Sequence, residues 1–244
     1  MLLLVTDTSG KTGTVALARA GERPPRGAEQ SGTEHTEQIE AEQSDVEVIE
    51  VVPLAGGMFS AQLVPQIASL LRKHGFSKAD IGAFVVVSGP GSFTGLRVGL
   101  AAIKALAEIL QKPIVAVSLL EALATASRVQ GSVVAGLDAG RGEVFFGAYQ
   151  IAGESVQVLR EELLSQAEFV SAAREATVIT PVQALLAAAR DAGITVFAVE
   201  PPGAATIAQF GWKKLQAGET VSPEQLEANY MRRSDAEMFV KSSL

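Results

Sequence analysis

Two aspartates stand where an α/β protein could use them for phosphate or water chemistry. Asp7 follows the apolar residues 2–6, and Asp138 follows the apolar residues 133–137. The carboxyl end of a strand faces the crevice in which α/β proteins bind ligands. Each carboxylate could therefore hold Mg²⁺ or orient a water nucleophile. The nucleotide-binding candidates at these two turns are Asp7, Thr8, Ser9, Asp138 and Gly140.

The same aspartates have a simpler interpretation, in which each caps its own turn, as aspartate readily does. Lys11 is the only base in the first turn and Arg141 the only base in the second. No pattern of catalytic side chains accompanies them, so the turns by themselves do not distinguish a nucleotide site from a structural one.

The sequence contains few side chains that could bind a metal ion or catalyse hydrolysis. A zinc or iron site needs clustered His, Cys or carboxylate ligands. The chain has no cysteine and two histidines, His35 and His74, about forty residues apart. Ser88, Ser92 and Thr94 have no neighbouring histidine base, and a helix N-cap is the simpler role for Ser92 or Thr94. The sequence thus predicts no catalytic residue and no metal site.

Residues 88–99, SGPGSFTGLRVG, join an apolar strand to a helix through a glycine-rich turn. Backbone amides at a helix start bind anions, but Leu96 and Arg97 stand where a P-loop needs Lys-Ser/Thr, so that fingerprint fails. Interior helical glycine costs about 1 kcal/mol relative to alanine. Small residues recur about every four positions and fall near one face of the predicted helix: Gly91, Gly95, Gly99 and Ala102. This spacing favours close approach of another backbone over ligand binding.

A second helix is predicted over residues 59–74, with an apolar stripe at helical spacing. The stripe consists of Phe59, Leu63, Ile67, Leu70 and Leu71. The stripe and the glycine face belong to two helices of one lobe. They could pack inside that lobe, or they could form a helix-on-helix surface for a partner.

The string SGPGSFTGLRVG also resembles the signature of the bacterial TsaB family. Residues 4–9, LVTDTS, and 229–237, NYMRRSDAE, are similar to that family at both ends of the chain. The resemblance spans the whole chain except the acidic residues 22–50. It implies an actin-like fold related to the glycoprotease-type protein TsaD, whose paired-histidine helix motif this chain lacks.

The resemblance further implies a function. TsaB pairs with TsaD through its N-terminal lobe and is needed for threonylcarbamoyl transfer to adenosine in tRNAs that read ANN codons. TsaD carries the transferase site, TsaB is non-catalytic, and the ATPase TsaE joins them. The family would hold tRNA indirectly, would bind no cofactor tightly beyond ATP or ADP with Mg²⁺ at the complex interface, and could form a homodimer when alone. The rival hypothesis is an autonomous small-molecule kinase or ATPase of the actin-like superfamily.

The organisation of the chain supports a duplicated α/β fold. Each aspartate ends one strand of a strand, glycine turn, strand unit, and the two units lie about 130 residues apart. Strands and helices alternate elsewhere, which predicts two actin-like lobes over residues 1–117 and 118–244. Helices are also predicted over 163–174, 181–192 and 204–217, and Ser118 with Glu121 predicts a capping box.

The net charge of −7 comes from one segment. Residues 22–50 contain nine acids and two bases, so the remaining chain is neutral and has no general field that would attract nucleic acid. Residues 22–45 have few apolar side chains and are predicted to form a mobile acidic loop, and deletion of residues 27–43 is expected to leave the fold nearly intact. No long apolar run predicts a membrane span, and a cytoplasmic protein is expected.

Overall fold

The computed structural model describes residues 1–21 and 45–231, and the first half of these residues forms one five-stranded sheet with its helices. The predicted acidic loop lies almost wholly outside the described residues. The elements of this half are β1 (Leu2–Asp7), β2 (Gly13–Ala20), β3 (Val46–Leu54), α1 (Phe59–Lys73), β4 (Ile81–Gly89), α2 (Phe93–Leu110), β5 (Ile114–Ser118) and α3 (Leu119–Ala126).

The second half repeats the same succession of three strands, helix, strand, helix, strand, helix. Its elements are β6 (Gly131–Gly140), β7 (Glu143–Ala152), β8 (Ser155–Ser165), α4 (Gln166–Ala172), β9 (Thr177–Thr180), α5 (Gln183–Asp191), β10 (Val196–Ala198) and α6 (Ala204–Gln216). Among the described residues, no helix is long and apolar enough to cross a membrane.

The two sheets have the same topology. The first has the order β3-β2-β1-β4-β5 and the second the corresponding order β8-β7-β6-β9-β10. In each sheet the first three strands pair antiparallel, and the fourth and fifth join in parallel through helical crossovers. The predicted duplicated α/β fold with two lobes is therefore confirmed, since the two strand pairs that carry Asp7 and Asp138 occupy equivalent positions.

The third helix of each half packs on the sheet of the other half. The first sheet is covered on one face by α1 and α2 and on the other by α6, where Ile207 and Phe210 meet Val5 and Val85. The second sheet is covered by α4 and α5 on one face and by α3 on the other. Thus α3, from the first half of the chain, packs in the second lobe, and α6, from the second half, packs in the first lobe. The boundary at 117/118 stays a prediction, because α6 follows that boundary in the chain but packs on the sheet of the first lobe.

Two local predictions differ from the structure. The helix predicted over residues 163–174 is shorter, Gln166–Ala172, because Leu163, Leu164 and Ser165 continue β8 against β7. No sequence pattern predicted the long strand β8, because its residues are exposed or half-buried and lack an alternating apolar face. Of the two hydrogen bonds of the predicted capping box at Ser118, one forms and one does not. The Ser118 side chain accepts a hydrogen bond from the Glu121 amide at 3.4 Å, but the Glu121 carboxylate turns to Lys214 instead.

Candidate functional site

A cavity of about 720 Å³ lies between the two lobes, at the carboxyl ends of the central strands. The first lobe contributes the turn after β1 and the loop before α2, and the second lobe contributes the turn after β6. One part of the wall is polar, with Ser9, Lys11, Asp138 and Arg141. Another part is apolar, and its larger side chains are Phe93, Leu119, Leu137, Phe145, Tyr230 and Met231. The duplicated turns therefore meet across one cleft.

Each candidate aspartate is hydrogen-bonded within its own turn. Asp7 Oδ1 accepts from the Ser9 amide at 2.8 Å and from the Ser9 hydroxyl at 2.6 Å. Asp138 Oδ1 accepts from the Gly140 amide at 2.8 Å. Both carboxylates thus close equivalent turns, the structural role that aspartate plays in many loops. Thr8 is buried, and its side chain faces α2 rather than the cavity.

The glycine face of α2 packs against the first turn. A Cβ at Gly91 would overlap Ser9, one at Gly95 would overlap the carbonyl oxygen of Thr8, and one at Gly99 would overlap the Thr8 hydroxyl. The Ser92 amide also donates a 2.7 Å hydrogen bond to the Ser9 carbonyl, and the Ser92 side chain caps α2 by accepting from the Gly95 amide at 3.3 Å. The glycines therefore serve a close backbone approach inside the first lobe.

The apolar stripe of α1 is also internal. All five of its members, Phe59, Leu63, Ile67, Leu70 and Leu71, are buried in the core between α1, α2 and the first sheet, where Ala102 is half-buried beside them. Of the two alternatives left open by the sequence, these side chains therefore pack inside the lobe, where they cover its own sheet. What the two helices present to solvent is a different set of small and apolar residues, here called the outer face: Ala61, Val64, Pro65, Ala68, Ala101, Ala105 and Ile109. Val64 is 49% exposed and Ile109 71%.

Sequence reasoning missed a polar cluster beside the cavity, centred on Glu161 of β8. Its Oε1 accepts from the Ser118 hydroxyl at 2.6 Å and from the Tyr149 hydroxyl at 2.5 Å, and its Oε2 accepts from the Asn229 side-chain amide. Burial, and then the neighbouring Glu161 carboxylate, raise the pKa of Tyr149 well above its usual range, so this hydroxyl remains a donor. The available signal was Asn229, the first residue of the family-like string at residues 229–237 quoted above.

An ion pair lies close to that cluster, where α3 and α6 meet. Lys214 Nζ is 3.4 Å from Glu121 Oε2 and 2.8 Å from Glu219 Oε2. Burial raises the pKa of the Glu121 carboxyl, and the nearby Lys214 ammonium offsets part of this effect. Burial works against the charge of Lys214, but Glu219 and Glu121 together leave its pKa raised. The pair joins the two exchanged helices at the centre of the molecule.

The described residues contain no group of three or more His, Asp or Glu side chains placed to hold a metal ion. Two sheets of identical topology, exchanged third helices and an interlobe cleft define a two-lobed protein of the actin-like class. Residues 51–238 match the family described as TsaD, tRNA N6-adenosine threonylcarbamoyltransferase.

Relatives of similar length show to which family within this class the chain belongs. The chain is 33% identical to the tRNA threonylcarbamoyladenosine biosynthesis protein TsaB of Bacillus subtilis, over 72% of this chain and 67% of that protein. It is 28% identical to the protein of the same name from Haemophilus influenzae, over 93% of this chain and 82% of the relative. The chain belongs to the TsaB family.

Solved structures agree with this fold. A Pseudomonas aeruginosa protein with similarity to the peptidase YEAZ aligns with a TM-score of 0.68 at 23% identity, over 95% of this chain and 99% of that chain. YeaZ from Pseudomonas aeruginosa aligns with a TM-score of 0.64 at 22% identity, over 93% of this chain and all of the other. The family assignment rests on the sequence relatives, and these structures support the two-lobed architecture.

Proposed function

We propose that this chain takes part in tRNA threonylcarbamoyladenosine biosynthesis as a non-catalytic subunit that binds a TsaD-type threonylcarbamoyltransferase. Its relatives from Bacillus subtilis and Haemophilus influenzae carry the name of that biosynthesis. The chain is also similar in sequence to the transferase family itself, over residues 51–238. A subunit related to its own partner can meet it through equivalent surfaces, as the two halves of a dimer do.

The observation that carries this proposal is the outer face of α1 and α2. Small and apolar side chains point to solvent at helical spacing on both helices, with Val64 and Ile109 the most prominent. Helices that present small residues allow close packing of helices from another subunit, and contiguous exposed apolar surface commonly marks a protein interface. The proposed interface therefore uses the sides of α1 and α2 that face away from their own sheet.

The polar part of the interlobe cavity supports a secondary role in nucleotide binding. Lys11 and Arg141 reach it from the two duplicated turns, and such bases attract phosphates. In this proposal ATP or ADP with Mg²⁺ binds weakly and in the assembled complex, a TsaE-type ATPase joins the assembly, and tRNA is held chiefly by the other subunits. The chain forms a homodimer when the transferase is absent, and the complex works in the cytoplasm.

An interface variant with a matched control tests the proposal. Val64→Glu places a charge on the outer face, whereas Val158→Glu places one at a similarly exposed valine on β8, 47% exposed against 49% for Val64. Binding to the purified transferase of the same organism is measured by calorimetry, and the unfolding midpoint of each variant by circular dichroism. We expect Val64→Glu to weaken binding at least tenfold, about 1.4 kcal/mol, at an unchanged midpoint.

Two outcomes would contradict this. Equal binding by both variants would show that the outer face is not part of the interface. Absence of binding by the unaltered chain, together with rapid ATP turnover, would favour the alternative, an autonomous small-molecule kinase or ATPase that uses the same cleft. Threonylcarbamoyladenosine content of tRNA, measured by mass spectrometry in cells that carry Val64→Glu as their only copy, reports on the function itself.

A further inference from the structure

The C-terminal segment, residues 229–231, crosses from one lobe to the other beside the interlobe cavity. On the first lobe, the Asn229 amide donates a 2.8 Å hydrogen bond to the Ser88 carbonyl at the end of β4. The next residue, Gly89, has a φ of +139° and lies so close that a Cβ there would come within 2.8 Å of the Asn229 carbonyl oxygen. Only glycine accepts both this conformation and this approach.

The second residue of the segment is fixed to α2. The Tyr230 ring lies 4.9 Å from the Phe93 ring, and the Arg97 Nε donates a 3.0 Å hydrogen bond to the Tyr230 hydroxyl. The Arg97 guanidinium covers the Phe93 ring at 3.6 Å from its centre. This stack gives the first lobe a second attachment point, and it places Tyr230 and Met231 in the wall of the cavity.

The attachment to the second lobe combines Met231, which packs against the core of that lobe, with the hydrogen bonds of one carboxylate. Glu161 of β8 accepts the Asn229 side-chain amide on Oε2, and on Oε1 it accepts Ser118, where the first sheet ends, and Tyr149 of β7. Hydrogen bonds to an ionised acceptor are about twice as strong as those between neutral groups. A glutamine in the same place keeps one acceptor oxygen but presents an NH₂ donor in place of the other, so the substitution loses the bonds on one side of this group and removes the charge that strengthens the rest.

We propose that residues 229–231 act as a strap that holds the two lobes at a fixed separation and shapes the mouth of the interlobe cavity, with Glu161 as its anchor on the second lobe. This role goes beyond the proposed partner binding and does not depend on it. The strap bonds to β4 and α2 on one side and to β8 on the other, so weakening the Glu161 contacts loosens the second-lobe end and lets the bonds to the first lobe open more often. The exchanged helices α3 and α6 still hold the lobes together, so the expected change in lobe separation is small and each sheet stays intact.

Hydrogen exchange of the full chain tests the anchor. Glu161→Gln weakens it, Asn229→Ala removes only the strap's own side chain, and Glu154→Gln is the control, a carboxylate in the turn of the same hairpin whose side chain is 90% exposed and whose 3.6 Å ion pair with Lys213 is screened by solvent. We expect at least tenfold faster exchange at residues 228–231 in the first two variants, with β6 and β9 unchanged. Glu154→Gln exchanges like the unaltered protein.

Interlobe distance gives an independent measurement. The chain has no cysteine, so Ser69→Cys in α1 and Ser171→Cys in α4, both at exposed positions, accept one spin label in each lobe. We expect one narrow distance distribution in the unaltered background and a broadened or displaced one with Glu161→Gln or Asn229→Ala. Unchanged distances and unchanged exchange in both variants would overturn the strap. Equal acceleration of exchange throughout the second sheet would also overturn it, because Glu161 would then only support its own lobe.

Discussion

Gly99 lies directly against Thr8, since a Cβ at position 99 would overlap the Thr8 hydroxyl and a Cβ at position 95 would overlap the carbonyl oxygen of the same residue. The two glycines thus meet different parts of one buried neighbour. At Gly99 the obstacle is a side chain, and at Gly95 it is backbone. This difference decides how each position responds to substitution.

We expect Gly95→Ala to destabilise the protein more than Gly99→Ala. Overpacking a tight contact costs about 1–3 kcal/mol, offset in part by the helix propensity that alanine gains over glycine, about 1 kcal/mol. Thr8→Ala removes the obstacle at Gly99 but not the carbonyl at Gly95. Urea unfolding of the single and double variants should therefore show coupling between positions 8 and 99 and additivity between 8 and 95. Gly99→Leu should lower stability before any effect on partner binding; a more stable Gly99→Leu protein would contradict the packing.

Ser118 has two roles that can be separated by comparison with Ser165. Ser118 caps α3 and also donates to the part-buried Glu161, whereas Ser165 caps α4 and donates to Glu168 at the exposed surface, where water replaces a lost bond. Loss of a cap costs about 1 kcal/mol, and a lost hydrogen bond to a charged group adds about 1.5–3 kcal/mol. We expect Ser118→Ala to lower the free energy of unfolding by roughly twice as much as Ser165→Ala, or more. Equal losses would show that the bond to Glu161 contributes nothing.

The pH dependence of stability should reveal Glu121. Burial raises the pKa of this carboxyl above its ordinary value of 4.5. The folded protein therefore holds the proton more tightly than the unfolded chain does. The stability contributed by this group is fully present below pH 4.5 and is lost as the pH rises through the folded-state pKa. Urea unfolding from pH 7 down to pH 4.5 should show the unaltered protein gaining stability relative to Glu121→Gln as the pH falls, whereas Glu154→Gln should follow the unaltered protein.

The isolated chain should turn over ATP more slowly than about 1 s⁻¹, the low end of typical enzyme rates. The reason is that Asp7 and Asp138 each direct a carboxylate oxygen to their own turn, through Ser9 and Gly140. A phosphate-release assay checks this, with Asp7→Asn as the comparison. Faster turnover that Asp7→Asn removes would show that this aspartate takes part in chemistry.

The duplicated strand pairs were predictable because apolar runs and glycine turns around Asp7 and Asp138 are local signals. The strand β8 was not, because its residues are mostly exposed and its place depends on pairing with β7. The glycine spacing of α2 indicated a close approach, but Thr8 lies more than eighty residues earlier, and no local pattern names it as the neighbour. The cluster around Glu161 could not be predicted for the same reason, since Ser118 and Asn229 are distant in sequence and contact Glu161 only in the folded protein.

The exchange of α3 and α6 has a consequence for synthesis of the chain. The apolar face of the first sheet that contains Val5 and Val85 is covered by residues 204–216, which the ribosome makes long after the sheet's last strand. Domains otherwise fold as units, N-terminal first, as they emerge. Here the nascent first lobe leaves one side of its sheet bare until residue 216 has been translated. No single truncation after residue 117 releases a finished N-terminal unit, so expression of that half alone should give an aggregating product.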